Sequence, residues 1–302
     1  MKLSVVVNTR NEEAAIERCL SSVSPYVDEI VVVDMESTDE TRQRARKYTN
    51  KIFKTKPQGY VEPARNFAIS KASGEWILLI DADEVLPESL GLKLRKLVTS
   101  EFSYYRLARK NLIFGKWMKH TGWWPDYQIR LFDKQCVFWQ NEIHSIPITQ
   151  GRGTDLEAEE SLAIIHYNYQ TVEQFIERLN RYTSEEAKEA VRQNQTFHWT
   201  NLIRKPTNEF FARFFSEEGY KDGVHGLALS LLQAFSMLVV ELKIWQYEKK
   251  FAEIRPKEFI TELNEQYENV RNDYHYWFHT TQGKQSEGLT KNVHKARAKL
   301  RL

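Results

Sequence analysis

Trp76-Ile77-Leu78-Leu79-Ile80-Asp81-Ala82-Asp83-Glu84 decides the fold: a short apolar run ends abruptly in two carboxylates one residue apart. An uninterrupted run of this kind reads as a strand covered on both faces, as strands are in parallel sheets. Toward the N-terminus the same pattern recurs. Leu3-Ser4-Val5-Val6-Val7 is mostly β-branched, Ile30-Val31-Val32-Val33 ends in Asp34, and Ile52-Phe53 is a shorter third strand. Between the strands, Ile16, Cys19, Leu20 and Val23 recur at helical steps. Residues 38–48 read as a charged helix, and residues 63–72 as a helix with Pro63 in its first turn. Asn11 is placed to cap the first helix, with Glu12 and Glu13 at its positive end. Strands alternating with helices predict right-handed crossovers and an α/β fold with a mainly parallel sheet flanked by helices.

In such a sheet, ligands bind beyond the carboxyl ends of the strands. Those ends carry Asn8, Thr9, Arg10 and Asn11 after the first strand, Asp34 after the second, and Asp81 and Asp83 after the fourth. Asp34 suits a ribose. A dinucleotide site, however, needs Gly-x-Gly-x-x-Gly after the first strand, where this chain has Asn8-Thr9-Arg10-Asn11-Glu12-Glu13. A Gly-x-x-x-x-Gly-Lys phosphate loop is absent too. Asp81 and Asp83 are hard oxygen ligands of the kind that Mg2+ or Mn2+ takes when bridging carboxylates to a substrate pyrophosphate. The competing reading is that one of them caps the helix beginning near Pro87.

The 302 residues are 41% hydrophobic and 13% aromatic, enough for a packed core and incompatible with disorder as the main state. Forty-three Lys and Arg against 41 Asp and Glu leave a formal charge of +2, which argues against a general nucleic-acid binder. Two cysteines, Cys19 and Cys136, support neither a disulfide framework nor a thiolate zinc site. The N-terminal apolar run is too short for a signal sequence, so a cytoplasmic chain is expected. Further on, residues 104–108, 128–132 and 163–166 are strand-like, and residues 171–191 keep a helical period. Arg204-Lys205-Pro206 breaks the pattern. It sets the expected boundary between a domain over 1–203 and a helical C-terminal region over 204–302.

Val5-Val6-Val7-Asn8-Thr9-Arg10-Asn11-Glu12, Glu29-Ile30-Val31-Val32-Val33-Asp34-Met35-Glu36-Ser37-Thr38-Asp39, Glu62-Pro63-Ala64-Arg65-Asn66 and Asp81-Ala82-Asp83 together resemble glycosyltransferase family 2, which has the GT-A fold. The resemblance is specific over residues 1 to about 100. Past that, Trp124-Pro125-Asp126-Tyr127-Gln128-Ile129-Arg130-Leu131-Phe132 and Ile165-His166-Tyr167-Asn168-Tyr169 look like the subgroup related to lipopolysaccharide-core β-glucosyltransferases. The resemblance implies an inverting, metal-dependent transfer from a nucleotide-diphospho-sugar to a glycan or lipid-linked acceptor. Thr9, Arg10, Asn11, Glu12, Asp34, Arg65 and Asp81 would then bind the donor nucleotide. Asp83 would hold Mg2+ or Mn2+. Asp126 is the expected general base, against a reading as an N-cap or a partner of Arg130. The related subgroup carries His-Glu where this chain has His144-Ser145, so Glu142 is the alternative base. His144 and His166 are candidate metal ligands, against the reading of hydrogen-bonded structural histidines. Trp123 and Trp124 are the expected acceptor platform, because aromatic faces stack on sugar C–H groups.

A nucleotidyltransferase shares the parallel sheet and acid-bound Mg2+, but begins with a Gly-rich basic loop that residues 8–13 lack. A non-catalytic nucleotide-sugar-binding scaffold is the third reading. In the C-terminal region, residues 224–240 contain no Asp, Glu, Lys or Arg. Leu227, Leu231, Phe235, Leu238, Leu242 and Trp245 share one helical face, opposite Ser230, Gln233, Glu241 and Glu248. Seventeen uncharged residues fall short of the roughly 20 needed to span a bilayer, so peripheral membrane contact is expected, against packing on the α/β domain or at a dimer interface.

Overall fold

The computed structural model describes residues 1–57, 62–139, 147–254 and 256–301. They form two compact units, Met1–Trp117 with Trp123–Gln170, and Met118–Gly122 with Thr171–Leu302.

The first unit opens with β1 (Leu3–Thr9), α1 (Ile16–Val23), β2 (Glu29–Asp34), α2 (Thr41–Ala45), β3 (Ile52–Lys54), α3 (Glu62–Lys71) and β4 (Trp76–Asp81). It continues with β5 (Glu84–Val85), α4 (Glu88–Leu97), β6 (Tyr104–Ile113), β7 (Lys116–Trp117), β8 (Asp126–Asp133), β9 (Val137–Phe138), β10 (Ile148–Thr149), β11 (Gly153–Asp155) and β12 (Ile164–Tyr167). The main sheet runs β3-β2-β1-β4-β8-β6-β12-β5, with β7 and β11 also on β6. The expected parallel arrangement holds across β3-β2-β1-β4, and from β8 onward the sheet is mixed. Alternation divides the core. Leu3, Val5 and Val7 point with Leu78 and Ile80 toward α1 and α4, while Val6, Val31, Ile77 and Leu79 pack on Ala68 and Ile69 of α3 and on Ala72 just after it. Each fully buried aliphatic side chain contributes roughly 1.5–3 kcal/mol, so these two layers hold the nucleotide-side strands rigid. At the opposite, amino edge, Gly74 is required by space: a Cβ there would lie 2.5 Å from Ser4 Oγ and 2.8 Å from Lys2 O.

Two local expectations are corrected. Asn11 does not cap α1, whose N-cap is Ala15 without a side-chain bond. Asn11 instead takes φ 53°, a left-handed conformation that Asn tolerates, and turns its side chain to the neighbouring loop. Nor does either Asp of the Asp-x-Asp pair cap α4, because Pro87 occupies that position.

The second unit contains α5 (Val172–Arg192), α6 (Asn201–Phe211), α7 (Val224–Lys249), α8 (Phe259–Gln285) and α9 (Gly288–Leu300). The expected helical C-terminal region is therefore present, but the boundary at 203/204 falls inside α6 and the units divide after Gln170. The physical reason is that Pro206 is accommodated within α6 rather than ending it. Thr207 Oγ1 donates to Ile203 O at 2.7 Å in the turn that the proline perturbs. The α5 helix belongs with α7 because Ala187 packs with Val240 and Ile244. Lys243 of α7 also donates to Asn180 O, Asn180 Oδ1, Thr183 Oγ1 and Ser184 Oγ at 2.7–2.9 Å.

Candidate active site

At the carboxyl edge of the parallel strands, the loops after β1 and β2 are stitched to each other. Asn11 N donates to Ser37 Oγ at 2.9 Å, and Asn11 Oδ1 accepts from Thr38 N at 2.9 Å. Glu12 N donates to Thr41 Oγ1 at 2.8 Å, and Glu13 Oε2 accepts from Glu40 N at 2.9 Å. Asp34 is fully buried; its two oxygens accept from Ser37 N at 3.3 and 3.2 Å, and Arg42 Nε lies 3.6 Å away. Its carboxylate thus fixes the loop instead of facing solvent. Thr9 is also buried, its Oγ1 has no hydrogen-bond partner, and Arg10 is exposed. The result is a pre-shaped rim of backbone and short polar groups, which suits recognition of a nucleoside without reorganisation.

Deeper in the sheet, Asp126, Arg109, Glu84, Arg130, Asp81 and Arg65 form a continuous line of alternating charge. Arg109 and Asp126 sit opposite each other on β6 and β8, with Nη2 2.5 Å and Nε 2.8 Å from Asp126 Oδ2. Arg109 Nη1 lies 3.5 Å from Glu84 Oε1, and Arg130 Nη2 donates at 2.6 Å to both Glu84 Oε1 and Asp81 Oδ2. Asp81 Oδ1 then meets Arg65 Nη2 at 3.4 Å. Glu84 and Arg130 are buried, and Glu84 Oε2 also accepts from Asp81 N at 2.9 Å. Burial pushes the Asp81 carboxyl pKa up, but Arg130 and Arg65 outweigh it and hold the group well below the usual carboxylate range. For Arg130, burial acts downward and is outweighed by Asp81 and Glu84, so its pKa is raised. Asp81 and Arg130 are therefore charged at neutral pH. The line is a rigid electrostatic spine under the site.

Asp83 lies beside β12. Its Oδ2 lies 3.5 Å from His166 Nε2, on β12. His166 Nδ1 is 2.6 Å from Asn111 Oδ1, and Asn111 Nδ2 donates to Trp123 O and Asp126 Oδ2, both at 3.0 Å. Because the Asn111 amide nitrogen is fixed by two acceptors, its oxygen must accept the proton on His166 Nδ1. That leaves His166 Nε2 facing the Asp83 carboxylate. A carboxylate and an imidazole nitrogen so placed can share a cation, and a fixed hydrogen-bond partner on the distal nitrogen is what metal-ligating histidines have. Among the described residues no group of three His, Cys, Asp or Glu converges, and this pair is what they offer. The pair fits Mg2+ or Mn2+, which keep positions for phosphate oxygens and water. His144 and Glu142 lie outside the described residues.

Asp126 is neither an N-cap nor a partner of Arg130. Besides Arg109 and Asn111 on Oδ2, it takes Gln128 Nε2 on Oδ1 at 2.9 Å, leaving lone-pair capacity on Oδ1. Burial raises its pKa, but Arg109, Asn111 and Gln128 outweigh burial and bring it below the usual value. Trp123 and Trp124, both half-buried, lie just upstream, and the Trp124–Pro125 peptide bond that leads into Asp126 is cis. Trp124 stands edge-on to Trp117 at 5.2 Å, and Trp123 edge-on to Tyr169 at 6.4 Å. Sequence reading missed Glu84, Arg109 and Asn111 altogether. Period two along β8 puts Asp126, Gln128 and Arg130 on one face, and along β6 puts Arg109 and Asn111 on one face. Polar residues on alternate positions of buried strands were the available signal.

A parallel β3-β2-β1-β4 sheet whose carboxyl edge carries this polar rim and an Asp-x-Asp pair is the donor half of a GT-A glycosyltransferase. Residues 4–162, more than half of the chain, match Glycosyl transferase family 2, and the chain belongs to that family. An uncharacterized glycosyltransferase of Rickettsia typhi is 29% identical over 259 residues, covering 82% of this chain and 88% of its own. The lipopolysaccharide core biosynthesis glycosyltransferase LpsC of Rhizobium meliloti is 24% identical over 259 residues, covering 82% of this chain and 93% of its own. The crystal structure of S. aureus TarS residues 1–349 aligns with a TM-score of 0.43 at 17% identity, over 84% of this chain and 93% of that one. Family membership sets aside the nucleotidyltransferase reading.

Proposed function

We propose that this glycosyltransferase moves a sugar, with inversion at the anomeric carbon, from a nucleotide-diphospho-sugar to a hydroxyl of a glycan or lipid-linked acceptor. The observation that carries the reading is the Asp83 carboxylate and the His166 imidazole facing each other at the carboxyl edge of the sheet. The stitched loops around Thr9, Asn11 and Asp34 seat the nucleoside, Asp34 by fixing the loop. Arg65, held against Asp81, offers positive charge to the phosphates. A divalent ion held by Asp83 and His166 would neutralise the charge that develops on the departing diphosphate.

In the transfer, the acceptor oxygen forms a bond to the anomeric carbon as the bond from that carbon to the phosphate oxygen breaks. The nucleoside diphosphate leaves with the bonding electrons. Asp126 Oδ1, ionised and with lone-pair capacity left, takes the acceptor proton. Trp123 and Trp124, preceding it in the chain, stack against the acceptor sugar. Glu142 is the alternative base. Peripheral contact of the enzyme with the inner face of the cytoplasmic membrane would bring it to a lipid-linked acceptor.

Incubating the protein with a panel of nucleotide-sugars and Mn2+ tests this. Release of free nucleoside diphosphate supports transfer or slow hydrolysis. Donor binding without release leaves the non-catalytic scaffold.

A further inference from the structure

Two helices of the second unit turn apolar side chains outward. On α9, Leu289 (84% exposed), Val293 and Leu300 (67% exposed) form one stripe, while Ala298 is buried and His294 meets His279 of α8 at 3.0 Å. Lys295, Arg297 and Lys299 flank that stripe on either side. On α7, Leu227, Leu231, Phe235 and Leu242 are exposed, whereas Leu229, Val240 and Ile244 are buried with Gly226, Ser230, Ala234 and Glu241. Between α8 and α9 lies a groove of about 520 Å³ bordered by Lys284, Lys291, Lys295 and Lys299, with no carboxylate in its lining. Among the described residues, none of these four lysines forms an ion pair. Lys291, Lys295 and Lys299 follow at four-residue steps, so their charges repel unless an anion is near.

We propose that α9, with the groove it forms against α8, is an interfacial docking surface for an anionic lipid bilayer: Leu289, Val293 and Leu300 enter the headgroup–acyl boundary and the lysine groove takes lipid phosphate. The proposal rests on the reading of a lipid-linked acceptor for its purpose. Charge selects lipid over a second copy of this chain, because a symmetric pair would bring like lysines together, whereas phosphates complement them. The surface lies on the bilayer and does not cross it. With 13 residues, α9 is shorter than the roughly 20 a span needs. The α7 helix passes the length and composition test for a span, but its opposite face carries Glu241 paired with Lys205, and Lys243 hydrogen-bonded to α5.

Co-sedimentation of the full chain with vesicles of phosphatidylcholine alone, or mixed with phosphatidylglycerol, tests the proposal. Binding is expected only to the mixed vesicles, and to weaken with salt. Lys295→Gln/Lys299→Gln is expected to weaken it roughly tenfold or more, and Leu289→Glu/Val293→Glu to abolish it. Both variants should keep the wild-type circular dichroism and wild-type nucleoside diphosphate affinity. Absence of wild-type binding at low salt overturns the proposal, as does binding that neither variant changes. A concentration-dependent dimer abolished by Leu289→Glu/Val293→Glu, without vesicle binding, assigns the surface to a second copy and overturns it equally. Loss of nucleotide binding alone, with vesicle binding intact, counts against the donor site and not against this surface.

Discussion

His166 Nε2 lies 3.5 Å from Asp83 Oδ2, and the histidine is turned there by Asn111. Asn111 also holds Asp126, so the proposed metal-side histidine and the proposed base share one amide. Sheet geometry makes this sharing possible. Asn111 faces His166 across the parallel β6–β12 pairing, and Arg109, two residues earlier on the same face, faces Asp126 across the antiparallel β6–β8 pairing. Replacing Asn111 would therefore disturb both halves of the site at once.

The buried charge line predicts a large stability effect away from the reacting atoms. Arg130→Met leaves Asp81 and Glu84 without their shared 2.6 Å partner in a buried setting. Removing one partner of a buried ion pair costs about 3–5 kcal/mol, a fall in Tm of roughly 10 °C for a unit of this size. Arg130→Lys should recover only part of it, since an ammonium lacks the planar fork. Thermal unfolding followed by circular dichroism checks this, and wild-type stability in Arg130→Met would refute the spine.

Asp126→Asn should separate binding from chemistry. Removing a general base lowers kcat by about 10² to 10⁴, while donor affinity stays near wild type because Asp126 makes no contact with Asp83 or the stitched loops. The lowered pKa of Asp126 means that its ionised form persists to acidic pH, so the acid limb of kcat/KM should fall below the usual carboxylate range. Near-normal turnover in Asp126→Asn moves the role to Glu142.

Glu29 gives a pH-dependent stability test at the opposite edge of the sheet. Burial raises its pKa, but hydrogen bonds from Lys51, Ser4 and Ser73 outweigh burial and lower it from 4.5 to about 2. Ser73 N and Oγ donate at 2.7 and 2.8 Å. A depressed folded pKa stabilises the fold fully above the unfolded value, and the gain is lost as pH falls through the folded value. Glu29→Gln should thus be destabilised by about 2–3 kcal/mol at pH 7. The gap to wild type should close between about pH 4.5 and about pH 2. Urea titrations at several pH values measure it; a gap independent of pH would contradict the assignment.

The sequence made the parallel half legible because there the local signals agree with the tertiary ones. Runs such as Val5-Val6-Val7 and Ile77-Leu78-Leu79 are buried on both faces, and their polar ends fall at one edge by topology alone. Asp83 and His166 were visible as residue types, but their meeting was not, since β12 reaches the site only through its pairing with β6. The spine stayed hidden for the same reason: Arg109 finds Asp126, and Arg130 finds Glu84, only once strand register is fixed. Pro206 misled because its local penalty is offset by the packing of α6 on α7, where Lys205 pairs with Glu241. A break in pattern then looks like a boundary.

The most direct test of the donor site is isothermal titration calorimetry of the full chain with uridine and guanosine diphosphates, in Mn2+ and in EDTA. The account predicts that one of them binds in Mn2+ and that chelation weakens it. It also predicts that Asp83→Asn weakens it by a similar factor, roughly 10- to 100-fold, with the circular dichroism spectrum unchanged. Equal affinity in Mn2+ and EDTA, or unchanged Mn2+-dependent affinity in Asp83→Asn, would contradict it.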